Sequence, residues 1–448
     1  MELTPFLTAY DPSDLPGNSI DPLGFERGYL FLADKILPGL TNVADKPRYF
    51  GLICAGSSLQ NNKEPSSSRA IYLNRVDHVM RLERLWALAN VFASQKVEDP
   101  EDQESALSLS GLRGVTYAKN EAHQLTKNGA RTAGSHFTML SRQLRYGAIG
   151  IYGAVADGMR LLNRKELALT PDLGQRLADA FLSETRMPPV IRRAVINDRE
   201  VRLSTLTEWG IRAHVSAPVE TEEAKCLYEI LHRDSVRSRM ATVLENIPGI
   251  EGEMELDRLQ RIEAKLNKGN NNKDLLEAIQ TIIRYEKSYQ LVQLGFERIL
   301  WLCRTRPEGY VTGQYLSGDS VFKYVMEHLP VTVDQFVAAL EGGKTTEFRA
   351  KLERLTVIQS FLEQAGSACD SAGRLAAVLL NQHSDVQRGK FDHGRRKMPW
   401  IERNGKRMSL TMTLAGGLSD EVMLPESIAA HPYRLSAADA LLEASRAA

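Results

Sequence analysis

Apolar residues recur at helical spacing along most of the chain, and strand-like alternation is rare. The clearest case lies between residues 275 and 299, where seven apolar positions fall three, four or seven residues apart along one helical face. These positions are Leu275, Ile279, Ile282, Tyr289, Val292, Phe296 and Ile299. Further amphipathic segments cover residues 320–329, 333–340, 346–363 and 371–383. The pattern predicts a mainly α, multi-helical fold.

Strand signals occur at three places. They are residues 166–169, residues 201–203 and the alternating stretch after Trp400. The last of these lies near the end of the chain and predicts a small C-terminal β element. We find no internal repeat.

Residues 135–182 follow the order helix, turn, helix, short strand, capped helix. The first helix is expected to end at Tyr146-Gly147, the second to run from Ala148 to Leu162, and Thr170 to cap a helix that begins at Pro171. This order is typical of a winged helix-turn-helix, a module that usually contacts DNA. The sequence therefore predicts a winged-helix-like module.

The basic residues of this module are the ones expected to meet DNA phosphates. They are Arg142, Arg145, Arg160, Arg164 and Lys165. The second helix lacks the Asn, Gln and Arg side chains that read bases, and Gly150 and Gly153 suggest close packing instead. The alternative is a helical hairpin that only builds the core.

Two joints divide the chain. Residues 98–104 are strongly acidic and are expected to form an exposed linker, and Pro188-Pro189 marks the second joint. The resulting prediction is an N-terminal helical domain (1–96), a winged-helix-like module (106–186), a helical middle domain (190–380) and a basic C-terminal segment with a small β element (381–448).

The formal net charge of the chain is zero, which excludes the class of strongly basic proteins. The 448 residues contain 56 basic and 56 acidic residues, so any nucleic-acid binding must come from a local basic face. The four cysteines form no CxxC pair, which predicts neither a disulfide framework nor a zinc site and suits the reducing cytoplasm. Neither a secretory signal pattern nor an apolar run of about 18 residues is present, so no membrane location is expected. No cofactor or metal is predicted.

The strongest local positive charge lies near the C-terminus. It comprises Arg388, Lys390, Arg395, Arg396 and Lys397, and Arg403, Lys406 and Arg407 continue it. A basic surface of this kind neutralises phosphates and gives salt-dependent binding to nucleic acid. The alternative is a solvated loop that leads into the β element, with Trp400 as a core anchor.

A hydrolytic interpretation of the same region is also open. His383, Asp385, Asp392 and His393 lie within about ten residues, and such groups can bind a metal or transfer protons. Their spacing matches no established metal-ligand motif. The region is therefore a second candidate, for a nuclease or another phosphodiesterase.

Two distant segments resemble a family of bacterial proteins from antiphage defence islands. The N-terminal signature is DPLG (21–24), LADKILPGLT (32–41) and Arg48-Tyr49. The C-terminal signature is His383, Val386-Gln387, Lys390 and PWI (399–401), and the stretch from Leu169-Thr170-Pro171 to Gly174 also fits. This chain has a longer basic loop, Phe391–Lys397, than the family pattern suggests. The resemblance implies a component of a multi-gene system that acts against foreign DNA; no activity is settled for the family, so it assigns no catalytic residues.

Arg48 beside Tyr49 is expected to pair with a buried carboxylate or carbonyl, although a buried Arg also suits a phosphate.

The leading hypothesis for the whole chain is a non-enzymatic DNA-binding or adaptor subunit of a defence or restriction complex. Its expected partners are duplex DNA and other subunits of that complex. The alternatives are the nuclease described above and a helical scaffold whose basic loop docks an acidic protein.

Overall fold

A computed structural model describes residues 21–59, 67–97, 107–268, 272–342, 355–392, 395–411 and 424–446. The fold is mainly helical with a few small antiparallel sheets, which confirms the predicted class. None of the helices in these ranges combines the length and the apolar character needed to cross a bilayer.

Helices and short strands follow one another along the chain. The helices are α1 (Glu26–Ala33), α2 (Arg48–Ser58), α3 (Ser68–Val97), α4 (Val115–Lys127), α5 (Gln143–Tyr146), α6 (Ala148–Gly158), α7 (Leu173–Glu184), α8 (Pro189–Asn197), α9 (Leu203–Arg212), α10 (Thr221–His232), α11 (Ser235–Asn246), α12 (Glu255–Leu266), α13 (Lys273–Thr305), α14 (Gly313–Leu316), α15 (Ser320–Gly342), α16 (Thr356–Ser367), α17 (Ala372–Arg388) and α18 (Leu435–Ser445). The strands are β1 (Thr132–Ala133), β2 (Leu162–Asn163), β3 (Ala168–Leu169), β4 (Val201–Arg202), β5 (Tyr310–Thr312), β6 (Phe391–Asp392), β7 (Arg395–Arg396), β8 (Ile401–Asn404) and β9 (Arg407–Leu410).

The chain divides into two compact units. Unit 1 comprises residues 1–36 and 249–433, and unit 2 comprises residues 37–248 and 434–448. Each unit therefore combines segments that are far apart in the sequence. The four consecutive domains remain a prediction.

Helix α13 forms the centre of unit 1 and packs against α12, α15 and α17. Its predicted apolar face is confirmed, since Leu275, Ile279, Val292 and Phe296 are buried. Helix α15 is continuous, where two amphipathic segments were predicted on either side of Pro330. Burial of the apolar residues on both sides of Pro330 outweighs the single backbone hydrogen bond that this proline removes.

Helix α13 also carries a buried carboxylate that fixes the last segment of unit 1. Glu286 accepts hydrogen bonds from the main-chain N–H of His431 (3.0 Å), from its Nδ1 (3.0 Å) and from the hydroxyl of Tyr433 (2.5 Å). Burial alone would lower the pKa of His431, but the charge and hydrogen bond of Glu286 outweigh it and raise that pKa. Gln290 adds a bond to the carbonyl of Ile428 (2.8 Å).

The predicted β element after Trp400 is confirmed. Strands β5, β9 and β8 form an antiparallel sheet, in which Val311 faces Met408 and both side chains are buried. Strands β8 and β9 are joined by a two-residue turn, Gly405-Lys406. Gly405 has a φ of +61°, the conformation that a glycine in the first central position of such a hairpin turn adopts readily.

Helix α3 forms the core of unit 2 together with α2, α4 and α9, and α2 packs on α7. The buried guanidinium of Arg48 forms an ion pair with the buried carboxylate of Glu223 and donates to the carbonyl of Pro218 (2.6 Å). The expectation of a buried carboxylate or carbonyl partner for Arg48 is therefore confirmed.

The winged-helix-like module is not confirmed. The first predicted helix is a single turn, α5, and the second ends at Gly158, since Arg160 adopts a left-handed φ of +58°. Strands β2 and β3 pair into a minimal hairpin. Helix α7 begins at Leu173 rather than Pro171, and the Thr170 hydroxyl accepts a bond from the N–H of Gly174 (3.0 Å).

Candidate nucleic-acid interface

His383, the first residue of the C-terminal signature, is a structural residue. Its side chain is fully buried, Nδ1 lies 3.0 Å from the carbonyl of Pro22, and Nε2 lies 2.9 Å from the main-chain nitrogen of Trp400. The imidazole is therefore neutral, with Nδ1 donating and Nε2 accepting. Burial lowers the pKa of His383 to about 4. Both ring nitrogens are occupied, so the proposed role of His383 in proton transfer or metal binding is not supported.

Lys390 and Gln382 bind the same N-terminal segment. The ammonium of Lys390 donates to the carbonyl of Asp21 (2.5 Å), and Nε2 of Gln382 donates to the carbonyl of Leu23 (2.8 Å). Lys390 is 8% exposed, because its aliphatic stem is packed inside unit 1. Sequence reasoning placed Lys390 on a phosphate-binding surface, and this position does not support that role.

The two signatures are thus in direct contact within unit 1. The Asp21 carboxylate accepts the N–H groups of Gly24 (2.7 Å) and Glu26 (2.8 Å) and so holds the turn before α1. Gly24 has a φ of +84°, and a Cβ there would lie 2.9 Å from Val386. We name this contact the signature clamp: residues 21–24 held by Gln382, His383 and Lys390. The clamp gives residues 21–24 of the N-terminal signature, and His383 and Lys390 of the C-terminal signature, a structural role.

The other predicted residues of this region have different positions. Arg388 at the end of α17 and Arg396 on β7 are exposed, and Lys397 is half-buried. Asp385 is exposed on α17. His393 lies outside the described residues, as do the side chains of Asp392 and Arg395. No group of three or more His, Cys, Asp or Glu side chains that could hold a metal occurs in the ranges that the structure describes.

Three exposed basic side chains lie at and beside the turn that joins β8 and β9. We name Arg403, Lys406 and Arg407, together with their two strands, the basic hairpin. Arg403 donates to the carbonyl of Gly405 (3.0 Å), so it bonds no carboxylate at that nitrogen. Glu402 is the exposed acidic residue of the same strand. Helix α17 packs beside β8, which places the hairpin next to the helix that carries Arg388.

Two guanidinium groups stack on tyrosines beside this hairpin. Arg407 lies over the ring of Tyr310, 4.5 Å from its centroid, and Arg306 lies over Tyr315 at 3.8 Å. Arg306 also pairs with Glu308, whereas no carboxylate of the described residues pairs with Arg407. The stack orients the Arg407 guanidinium without neutralising it. Sequence reasoning missed Tyr310, because its partner follows 97 positions later and no local pattern links them.

The predicted basic residues of unit 2 are mostly exposed. Arg160, Arg164 and Lys165 lie at or near the β2–β3 hairpin, and Arg142 is exposed before α5. The hairpin turn is fixed by side chains, since Asp157 accepts the N–H of Arg164 (3.0 Å). Arg145 is half-buried over the ring of Tyr146, 5.5 Å from its centroid. Of these residues, Arg160 and Lys165 line one recess of the surface, together with Asp157 and Thr170.

No protein-family model, no curated protein and no solved structure matches the chain. Its function is therefore argued from its own residues.

Proposed function

We propose that the protein is a DNA-binding subunit that contacts the phosphates of duplex DNA through the basic hairpin of unit 1. One observation carries the proposal. Arg403, Lys406 and Arg407 are exposed on the β8–β9 hairpin of the three-stranded sheet, and Arg407 is held over Tyr310 with its charge unpaired. Basic side chains grouped at the tip of a hairpin can contact DNA phosphates, and such contacts account for much of the affinity of proteins for duplex DNA.

Other basic residues extend this surface. Arg388, Arg396 and Lys397 belong to the same unit and precede the hairpin, so they are proposed as further phosphate contacts. In unit 2, Arg164 and Lys165 on the β2–β3 hairpin are proposed as a second contact, in the manner of a wing. Most such contacts position a protein on DNA without reading its sequence.

The proposed context is a bacterial defence complex. The resemblance of the two signatures to proteins of antiphage defence islands supports it, and the chain would act there beside other subunits. The nuclease alternative is not favoured, because both ring nitrogens of His383 are engaged in the signature clamp.

The proposal is tested by charge reversal on the basic hairpin. The variant Arg403→Glu/Lys406→Glu/Arg407→Glu is compared with the matched control Lys287→Glu/Lys323→Glu/Arg374→Glu, which reverses three exposed cations elsewhere in unit 1. Both variants have the same net charge, so only the location of the change differs. Binding to a fluorescein-labelled duplex is followed by anisotropy across a salt series.

The hairpin variant should lose binding, and the slope of log K against log salt should fall by up to about 2.7, or roughly 0.9 for each lost phosphate contact. The control should keep most of its affinity and its slope. Absence of binding by the unmodified protein at low salt would overturn the proposal, as would equal losses in the two variants. Binding of an acidic protein partner in place of DNA would favour the scaffold interpretation.

A further inference from the structure

Unit 2 contains a small polar recess that the DNA-binding proposal does not use. Its volume is about 180 Å³, and it lies between helix α3, the loop after β1 and the end of α8. The charged and polar residues that line it are Asp77, Arg81, Arg84, Ser135, His136 and Asp198. Residues 77, 81 and 84 share one face of α3 because they are spaced by four and three.

Arg84 is held rigidly in this recess by a buried network. Its Nε donates to Oε1 of Gln143 (2.7 Å), and its Nη1 donates to the carbonyl of Ser135 (2.9 Å). Gln143 is itself fixed, since its Nε2 donates to Oε2 of the buried Glu83 side chain (2.8 Å). Glu83 in turn accepts the N–H of Ala148 (2.7 Å). The guanidinium plane of Arg84 is thus set before any ligand arrives.

The Arg84 guanidinium has no ion-pair partner among the described residues, and the acidic side chains of Glu83, Asp198 and Asp77 act on it only from beyond 4.0 Å. Both groups that it bonds are neutral, and no carboxylate of the described residues lies within the 4.0 Å of an ion pair. A half-buried guanidinium is normally paired, because removing its charge from water is costly. Arg237 also lacks a carboxylate, but the last carbonyls of α10 bind its guanidinium and supply negative dipole charge. Arg84 has no such helix end, and its Nη2 bonds no described residue.

The remaining polar groups complete the recess. Asp198 adopts a left-handed backbone with a φ of +53°, unusual for a residue other than glycine. Its carboxylate accepts the hydroxyl of Ser135 (2.9 Å) and lies 3.6 Å from Nη2 of Arg81 and 3.4 Å from Nε2 of His136. Asp198 therefore bonds its other neighbours and forms no ion pair with Arg84, although its charge favours the protonated guanidinium. His136 is 74% exposed and stands at the mouth of the recess.

We propose that this recess binds a small oxyanion, the phosphate or carboxylate group of a small molecule, on the free edge of the Arg84 guanidinium with His136 at its mouth. Arginine suits this role, because its fork of N–H donors matches two oxygens of such a group. The volume admits one small group, and the carboxylates of Asp77 and Asp198 keep the lining from being strongly positive. A polyanion such as DNA or a polyphosphate chain is therefore disfavoured here, which separates this site from the basic hairpin.

The test uses the full chain and three probes at constant ionic strength: inorganic phosphate, acetate and tripolyphosphate, with sodium chloride as the balancing salt. Binding is measured by calorimetric titration and by the shift in thermal unfolding temperature. Phosphate or acetate should bind with a dissociation constant on the order of 1 mM and raise the unfolding temperature. Which of the two binds identifies the class of oxyanion.

The variant Arg84→Gln should weaken that binding at least about tenfold. The control Arg75→Gln removes a guanidinium from the same helix that is also anchored to a carbonyl, that of Glu166, but that lies outside the recess; it should bind as the unmodified protein does. His136→Gln alters an exposed side chain, so it folds regardless of Arg84, and it should weaken binding about twofold to fivefold. No binding of either small probe, equal affinity in the Arg84 and Arg75 variants, or binding of tripolyphosphate alone would overturn the assignment.

Discussion

Nε2 of His383 accepts a hydrogen bond from the main-chain N–H of Trp400, 2.9 Å away, while Nδ1 of the same ring donates to the carbonyl of Pro22. One buried imidazole thus joins the N-terminal segment of unit 1 to the start of the C-terminal β element. Both ring nitrogens of His383 are used in this connection, which gives the histidine a structural role. It also makes the signature clamp a determinant of stability.

Replacement of His383 by Ala should lower the free energy of unfolding by about 2–4 kcal/mol, because two buried backbone groups lose their partner and a cavity remains. Urea unfolding measures the change. His328→Ala is the control, since His328 is exposed and contacts Tyr324 of its own helix through a hydrogen bond to the carbonyl and a ring stack; it should cost less than about 0.5 kcal/mol. A small effect at His383 would show that the clamp contributes little.

The same residue should control part of the acid sensitivity. Its pKa is lowered to about 4 in the folded protein, against an ordinary value of 6.5, so the unfolded chain binds the proton more readily. Its contribution is complete above pH 6.5 and is lost as the pH falls towards 4, by about 3 kcal/mol. The stability difference between the protein and His383→Gln should shrink over this window; a constant difference would contradict the assigned neutral state.

Variants of Lys390 and Arg407 should have different effects, because Lys390 contributes to stability and Arg407 is proposed to contribute to DNA binding. Lys390→Met removes a buried ammonium that bonds Asp21, so it should lower stability by about 1–3 kcal/mol and leave the salt dependence of DNA binding unchanged. Arg407→Met removes an exposed guanidinium, so it should leave stability unchanged and reduce the slope of log K against log salt by about 1. The two variants are compared by urea unfolding and by anisotropy. A reduced slope for Lys390→Met would restore that residue to the interface.

Two glycines of α6 should respond oppositely to alanine. A Cβ at Gly150 would lie 1.8 Å from the carbonyl oxygen of Arg145, so Gly150→Ala should cost roughly 3 kcal/mol or more. At Gly153 the nearest atom is the end of Ile53 at 3.8 Å, so Gly153→Ala should be neutral or add up to about 1 kcal/mol through helix propensity. Thermal unfolding of both variants tests this. Equal effects would mean that the helix relaxes at Gly150.

These results show which features a sequence makes visible. The α13 stripe and the C-terminal β element were predicted because their periodicity is local. The close packing predicted for Gly150 is confirmed, whereas Gly153 has room for a Cβ, whose nearest neighbour would be the end of Ile53 at 3.8 Å. Lys390 donates to the carbonyl of Asp21, which lies 369 positions earlier in the sequence. The charge pattern around Lys390 does not indicate this contact. The recess at Arg84 was missed for the same reason: it combines side chains from three distant segments.

Removing one partner of the ion pair between Arg48 and Glu223 should destabilise the protein strongly, whereas replacing both partners by apolar residues should destabilise it much less. Arg48→Met leaves a buried carboxylate without its cation and should lower stability by about 3–5 kcal/mol. The double variant Arg48→Met/Glu223→Leu removes both charges and should recover much of that loss. A double-mutant cycle by urea unfolding gives the coupling between the two residues. Additive losses would indicate that water reaches Glu223 in the single variant.

Glu83 should give unit 2 a pH dependence of the opposite sign to that of His383. Burial raises the pKa of Glu83 to about 7, although the bonds from Gln143 and Ala148 act to lower it. The folded state then holds a proton that the unfolded chain releases above pH 4.5, so stability falls as the pH rises from about 4.5 to 7. The amide of Glu83→Gln cannot titrate, so the protein should lose about 3 kcal/mol relative to that variant across this window. Unfolding curves at intervals of half a pH unit measure the difference, and a flat result would show that Glu83 stays ionised beside Gln143.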